Sequence, residues 1–494
     1  MTAGLLVELG EPGRIDRATS GRVHGLVTRL ALEQRGGIID AVPGYTSVLI
    51  EYDPKRISAG TVRTLVAAAA GADRPPGRSV TIPVVYDGPD LADAADRLGL
   101  SAEQLVRMHT GQEFDVYTTS FSPGMPLAGE LPPKLRLPRR ATPRREVAPG
   151  SVAIAGAQTG VYTLPTPGGW HLLGRALVNP FEPARPVPAL VSPLDRIRFR
   201  AAQGAAPRLP GPLELLPAEP VRPVLRVARA GLADLVVDAG RNWTAVLGLS
   251  RSGPLDANAA RIAAALVGNR PGTPLLELNL SGPVLEALAD TVFAVCGPAL
   301  VPVVDGESLP AWTSHPLRRG QRLEFRPTGV GARSYLALAG GIESGLFMGS
   351  ASVDTKAKVG RPLKQGDVLG AGHALVRPGR SFTPYRARGF RLRLLRGPQW
   401  TAEAAAALTS QPFTLTSASR MGLRLAGSEA VPGGDVLSEP VAPGSIQVAA
   451  DGNPMILLAD RGPVGGYAKP ARLHPAELDR AGQLRVGDTV RFGF

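Results

Sequence analysis

One pattern is written twice in this chain, and it constrains the fold more than any single motif. Val147-Ala148-Pro149-Gly150-Ser151-Val152-Ala153-Ile154-Ala155 returns near the other end as Val441-Ala442-Pro443-Gly444-Ser445-Ile446-Gln447-Val448-Ala449. Each copy is a Pro-Gly turn running into a short apolar strand. Each is followed by paired glycines carrying an aromatic, Gly168-Gly169-Trp170 and Gly465-Gly466-Tyr467, which read as a turn. Each ends in a matching strand, Asp195-Arg196-Ile197-Arg198-Phe199 and Asp488-Thr489-Val490-Arg491-Phe492. Two copies are too few for a solenoid, which buries a continuous core only from about three repeats. The pattern predicts two related β domains in one polypeptide, each closing with the same strand-turn-strand unit.

The rest of the composition agrees. A chain of 494 residues exceeds one ordinary domain, and about three or four are expected on length. Its 59 glycines and 48 prolines, spread among apolar runs, favour many short strands over long helices. With 44% hydrophobic residues it is not the composition of a disordered chain. The formal charge of +13 raises a nucleic-acid reading. The excess is mostly arginine scattered among acids, and no aromatic-interleaved basic stripe appears. The densest run is Lys134, Arg136, Arg139, Arg140, Arg144 and Arg145. It suits a phosphate or nucleic-acid patch or, broken into turns by Pro138 and Pro143, a site for small anions. No nucleic-acid partner is expected. The single cysteine, Cys296, allows no internal disulfide and fits a reducing cytoplasm; it reads as a buried strand thiol. The N-terminus has no basic region before its short apolar run, so neither a signal peptide nor a membrane span is expected.

In chain order, residues 1–78 read as strand, helix (Gly25 to Gln34), hairpin (37–52, turning at Pro43-Gly44) and a helix from Ser58 through Ala70. That order suggests a ferredoxin-like split βαβ. Residues 79–200 open with a strand at 80–86 and two helices, 90–98 and 102–109, the second capped by Ser101 with Gln104 in the capping-box position. Short strands and turns then suggest a closed barrel. Residues 201–223 are a Pro/Ala-rich linker. Residues 224–494 are almost all β, with helices at 256–267 and 401–408 and a polar, irregular segment at 348–364 that reads as a mobile loop.

No phosphate-binding Gly-x-x-x-x-Gly-Lys loop, zinc-spaced Cys/His pair or Gly-x-Ser-x-Gly elbow is present. No metal site and no biotin-bearing Met-Lys-Met are expected. A site must therefore come from Arg, Asp, Glu, Gln and backbone groups on turns. Candidates are Asp238 to Arg241, Ser252 to Asp256, Arg420 with Arg424 on one strand face, and Asp460-Arg461 with Gly465, Gly466 and Tyr467 beside them. Guanidinium forks match carboxylate or phosphate oxygens in pairs. Asp256 reads equally as a helix cap. His109, ending a helix where the dipole favours a cation, reads as structural.

Taken in order, these residues resemble a known pair of proteins. Asp40 to Tyr45, Pro138-Arg139-Arg140, Pro143-Arg144, Val147 to Ala155, Gln158-Thr159-Gly160, Pro167 to Trp170 and Gly174-Arg175 resemble the B subunit of bacterial ATP-dependent 5-oxoprolinase, the KipI or allophanate hydrolase subunit 1 family. Asp238 to Arg241, Ser252 to Asp256, Glu277 with Ser281-Gly282-Pro283, Arg420 to Arg424, Ser438-Glu439, Gly444 to Gln447 and Asp460 to Tyr467 resemble the C subunit, the KipA or allophanate hydrolase subunit 2 family. The chain is similar to the two subunits fused. The resemblance implies a mainly β molecule: two cyclophilin-like barrels plus the small ferredoxin-like domain. It implies ATP-dependent opening of 5-oxo-L-proline to L-glutamate, with ATP and Mg, in the cytoplasm, together with a separate LamB/YcsF-like A subunit; a homo-oligomer is left open. Asp460, Arg461 and Arg424 are then the expected catalytic residues. Arg139, Arg144, Gln158, Arg175, Arg420, Gly465, Gly466 and Tyr467 are the expected substrate contacts. The same domain pair resembles the carboxyltransferase part of urea carboxylase, and a KipI-like histidine-kinase inhibitor is a further alternative.

Overall fold

The duplicated pattern folds into two barrels of one topology. The computed structural model describes residues 3–11, 14–33, 36–69, 71, 77–140, 142, 144–384 and 391–494; Gln34, Ala70 and Pro143 lie outside them. In the first barrel, hydrogen-bonded neighbours run His171–Ala176, Ser79–Val85, Arg196–Ala201, Glu113–Thr118, Leu127–Gly129, Gln158–Val161, Ser151–Ala155 and back. In the second they run Val464–Leu473, Arg391–Arg396, Thr489–Gly493, Phe413–Ala418, Gly422–Ala426, Pro454–Leu457, Ser445–Val448 and back, closed by the pairing of Leu394 with Leu473. In both, the final strand lies parallel to the first. The registers also correspond. Ile154 pairs with His171 and Ser151 with Arg175; Val448 pairs with Ala468 and Ser445 with Arg472. A bulge interrupts both pairings. Trp170 and Tyr467 therefore occupy one position in two copies of one scaffold.

The Pro-Gly turns work as their sequences require. Gly150 and Gly444 sit at φ 84° and 79°, a region that costs an L-residue strain and glycine little. The paired glycines differ from expectation. Gly465 and Gly466 lie inside the continuous strand Val464–Leu473, and Gly168 ends the strand Thr166–Gly168, so they extend the sheet rather than turn it.

The remaining units follow the same local logic. Strand Ala3–Glu8 pairs with Ser47–Tyr52, which pairs with Ile38–Pro43, backed by helices Arg17–Glu33 and Ala59–Ala69. The first helix starts well before Gly25 because Asp16 caps it, accepting from Thr19 N at 2.8 Å and Thr19 Oγ1 at 2.9 Å. Ser101 and Gln104 form the expected capping box on Ala102–Thr110. From residue 223 on, a two-sheet unit precedes the second barrel: six strands from Pro223–Arg229 to Val368–Gly370 share a core with five that include Leu275–Asn279 and Arg333–Leu338, and helix Ala257–Leu266 packs on the five-stranded sheet. Asp256 caps that helix through Ala259 N at 2.9 Å. Cys296 is buried in this core, which pushes its thiol well above the usual range.

Two segments read as loose are packed. The linker bridges Leu213 to Val359 and buries Leu215 against Phe347 and Val359. The 348–364 segment buries Ser350, Ser352, Asp354 and Ala357. Among the described residues no helix is long and apolar enough to cross a membrane.

His109 lies inside the first barrel, fully buried and stacked on Phe199 with centroids 4.5 Å apart. Thr159 Oγ1 donates to Ala153 O, so it accepts from His109 Nε2 at 2.8 Å, and Tyr86 O–H donates to Nδ1 at 2.7 Å. The ring is neutral rather than the dipole-stabilised cation that its helix end suggested; burial lowers its pKa to about 3. Between that value and the ordinary 6.5 the unfolded chain takes up a proton that the native barrel refuses. The contribution is full above pH 6.5 and is lost as pH falls towards 3, at about 1.4 kcal/mol per unit. Asp40, raised by burial to about 7, works in the opposite direction over pH 3.8–7. The comparison that isolates His109 is wild type against His109→Gln: between pH 7 and 5, wild type should lose about 2 kcal/mol more in urea unfolding.

Candidate functional site

Four loops of the C-terminal half meet around buried charge. Asp238, at the end of a strand, accepts from Ser350 Oγ (2.5 Å), Ser352 Oγ (2.6 Å), Ala351 N (2.7 Å) and Gly240 N (2.8 Å). It pins the 348–354 segment against the turn 238–241. Arg241 follows, its side chain fully buried. It donates to Ser252 Oγ at 3.1 Å and to Ser352 O, lies 3.8 Å from Asp354, and sits over the Phe347 ring at 5.9 Å. Ser252 and Gly253 both adopt left-handed backbone, φ 57° and 85°; for serine this is strain of the kind that gathers at functional turns.

Beside them, Arg420 forks onto Asp460 at 2.7 and 3.1 Å, donates to Gly253 O at 2.6 Å, and reaches Glu277. Glu277 also accepts from Tyr335 O–H (2.8 Å) and Leu255 N (3.0 Å), with Arg333 Nε at 3.5 Å. Burial pushes its carboxyl up, but Arg420 and Arg333 win and hold it below the usual range. Asp354 is pushed up by burial and by Asp460. Lys356, half-buried, faces Asp354 and Asp460; burial pulls its pKa down against them. Among the described residues its ammonium has no hydrogen bond; Arg241 and Arg333 each leave their Nε unpaired but spend other donors, so Lys356 is the cation of this cluster with every donor unspent. Sequence reasoning passed over it because a lysine in a polar segment normally marks solvated surface.

The residues named from sequence divide sharply. Arg420 and Asp460 belong to this cluster. Arg461 faces elsewhere: it donates to Val441 O (2.9 Å) and to Glu51 of the N-terminal domain (2.6 Å), and its charge is buried. Arg424 does not share a strand face with Arg420, which precedes strand Gly422–Ala426; Arg424 is exposed on that strand. In the first barrel the four candidates do not converge. Arg144 and its neighbour Arg140 clamp Asp90 at 2.6 and 2.9 Å. Burial pushes the Asp90 carboxyl up, and these arginines hold it below its usual range. Arg175 pairs with Asp87 at the surface at 2.8 Å. Gln158 donates to Tyr45 O–H. Arg139 is exposed, 3.9 Å from Asp435 of the second barrel. A Cβ on Gly466 would stand 3.5 Å from Arg139 Nη1, and one on Gly465 would stand 2.4 Å from Gln447 Nε2. Tyr467 is half-buried opposite Asp435.

The two halves dock beside the charged cluster. Thr119 Oγ1 donates to Val246 O (2.6 Å) and Gly124 N to Leu247 O (2.8 Å). Gly248, at φ 73°, permits this approach: a Cβ there would come within 2.4 Å of Ser122 O and Thr119 O. Two surface clefts, of about 520 Å³ along residues 374–380 and about 320 Å³ between Arg229 and Phe325, contain none of these residues.

Comparison with known proteins matches both halves. The model for carboxyltransferase domain, subdomains C and D, matches residues 2–191, and that for subdomains A and B matches residues 247–494. The 5-oxoprolinase B subunit of Escherichia coli O157:H7 is 39% identical over 40% of this chain and 90% of its own length. The 5-oxoprolinase C subunit of E. coli K12 is 35% identical over 54% of this chain and 90% of its own. The urea amidolyase of Saccharomyces cerevisiae is 28% identical over 50% of this chain, which spans only 15% of that protein. Among solved structures, TTHA0988 superposes with a TM-score of 0.96 at 47% identity over 100% of both chains. Kluyveromyces lactis urea carboxylase superposes with a TM-score of 0.50 at 26% identity over 56% of this chain and 28% of that one.

Proposed function

Because the chain belongs to the carboxyltransferase-domain family, with a B-type and a C-type half fused in one polypeptide, we propose that it acts as the joined B and C components of an ATP-dependent 5-oxoprolinase. The observation that carries this reading is that a B-type relative matches 40% of the chain and a C-type relative 54%, each over 90% of its own length, while the two family models match successive halves. The reaction would open 5-oxo-L-proline to L-glutamate with a separate A subunit of the LamB/YcsF type. A lactam is a poor electrophile, and phosphorylating its carbonyl oxygen from MgATP makes it hydrolysable. That step asks a protein for positioning and charge stabilisation rather than for a covalent nucleophile. In this reading Lys356, whose donors are unspent, contacts the anionic group, while Asp354 and Asp460 hold the ammonium in place. Arg420 and Arg241 hold the loops that carry them.

The test is glutamate and ADP formation from 5-oxoproline and ATP, with the chain and its cognate A subunit present together and singly. Turnover should require both. Lys356→Met should lower kcat/KM about 100-fold or more, the scale of losing one preorganised charge contact, with melting unchanged. A second reading, carboxyl transfer of the urea carboxylase type, draws on the likeness to urea amidolyase. It requires a carboxybiotin carrier and would be favoured by carboxyl transfer to urea without any A subunit.

A further inference from the structure

The duplication allows one barrel to be read against the other. On the outward face of the first barrel, Ala153, Leu172 and Trp170 pack with Tyr45, Tyr117 and Tyr162 in an apolar cluster that also takes in Leu437. At the corresponding register positions the second barrel carries Gln447, Lys469 and Tyr467. On the adjoining strand, Arg144 near Gly168 is matched by Glu439 opposite Gly465. Asp90, which accepts from Leu172 N, is matched by Gln399, which accepts from Lys469 N. One copy filled this corner with hydrocarbon, an arginine and the aspartate it clamps; the other holds a lysine, a glutamate and two glutamines.

That substitution is costly unless it is used, because a buried ammonium or amide loses its water. Lys469 is 2% exposed and Gln447 5%. Lys469 Nζ lies 2.5 Å from Glu439 Oε1, and Gln399 Nε2 donates to the same oxygen at 2.6 Å. Burial draws the Lys469 pKa down, and Glu439 opposes that. Several valences are left over, those of the Gln447 amide among them. Gln447 Nε2 is buried with no partner among the described residues, and Glu439 Oε2 has no partner among them either. They share a face: Gly465 is the cross-strand partner of Glu439, and the Gln447 amide occupies the place beside its missing side chain. An unspent donor and an unspent acceptor side by side complement a group that presents a carbonyl and an N–H on one edge. A small-ring lactam does this because the ring forces its amide cis; a ureido group does it too.

We infer that this corner is a recognition site for a cis-amide edge, with Gln447 Nε2 donating to the carbonyl oxygen and Glu439 Oε2 accepting from the N–H. Lys469 and Gln399 hold Glu439 in place through its other oxygen. Identification of the lactam as 5-oxo-L-proline rests on the function proposed above; a urea or biotin ureido group is the other source of the same edge.

The experiment is calorimetric titration of the full chain with 5-oxo-L-proline, N-methyl-5-oxoproline, urea and biotin methyl ester, in wild type, Glu439→Gln and Gly465→Ala, with melting temperatures as a fold control. Glu439→Gln keeps the volume and turns the acceptor into a donor. Gly465→Ala drives a methyl into the Gln447 amide. Wild type should bind 5-oxoproline about tenfold or more tighter than its N-methyl analogue, and Glu439→Gln should abolish that difference, which a merely structural role would leave intact. Equal 5-oxoproline affinity in wild type and both variants overturns the site, even if the chain makes glutamate with its A subunit. Binding of urea or biotin ester that Glu439→Gln abolishes, without 5-oxoproline binding, keeps the cis-amide site and counts against the 5-oxoprolinase reading. Wild type binding none of the four overturns the site.

Discussion

Arg420→Met should cost the C-terminal half about 3–5 kcal/mol, because it strands two carboxylates in the interior. Glu277 is fully buried and Asp460 nearly so, and a single guanidinium serves both. Removing it takes the fork from both; Arg333, 3.5 Å from Glu277, and Lys356, which faces Asp460, compensate in part without replacing its hydrogen bonds. Arg420→Lys should recover little, since an ammonium cannot fork onto Asp460 while reaching Glu277 and Gly253 O. Glu277→Gln in the Met background should return part of the loss by removing one stranded charge, although Tyr335 and Leu255 still need its acceptor. Urea unfolding followed on the second half reads this out. A loss under about 1 kcal/mol would mean that water reaches the cluster and that the pairs behave as surface pairs.

Glu51→Ala is the second large effect, and it should act between domains. Glu51 lies on the middle strand of the small N-terminal sheet, and Arg461 reaches it at 2.6 Å from a loop of the second barrel; both are nearly inaccessible. Without the carboxylate, the Arg461 guanidinium keeps only Val441 O as a hydrogen-bond partner among the described residues and loses its paired charge, again at about 3–5 kcal/mol. The same seam is held by Asp40, which accepts from Thr244 N and Ala245 N at 3.2 and 3.3 Å, and by the apolar contact of Val42, Leu49, Ala442 and Val464. The loss should therefore appear first as undocking of residues 3–69 and faster hydrogen exchange at Thr244 and Ala245, before the barrels melt. Simultaneous unfolding of all units would contradict it.

Where a feature is decided by neighbours in the chain, the sequence is a sufficient guide. The Pro-Gly turns at Gly150 and Gly444, the Ser101 capping box and the Asp256 cap are each set within about four residues. The doubled strand pattern implied two related barrels, and the matched registers bear that out. Misreadings arise where a long-range contact overrides local character. The 348–364 segment looks polar and loose, yet Asp238 takes three hydrogen bonds from Ser350, Ala351 and Ser352. The linker looks like a tether, yet Leu215 is buried. Gly465 and Gly466 look like a turn, yet both lie inside a strand, where Gly465 supplies room for Gln447.

The candidate charges divide on the same principle. Arginine and aspartate in those loops are legible as residue types, but their partners are not. Glu277 lies 143 residues from Arg420, and Glu51 lies 410 from Arg461. A guanidinium has the same letter whether it is spent on a buried carboxylate, as in Arg420 and Arg461, or stands exposed, as in Arg424. By itself the sequence determined the β class, the duplication and the turns, because strand alternation and left-handed glycines are properties of adjacent residues. Only the tertiary structure decided which charges are consumed and which, like Lys356 and the Glu439–Gln447 corner, keep a valence to offer. Pairing and desolvation depend on what the folded chain brings within a few ångströms, and spacing along the chain carries no record of that.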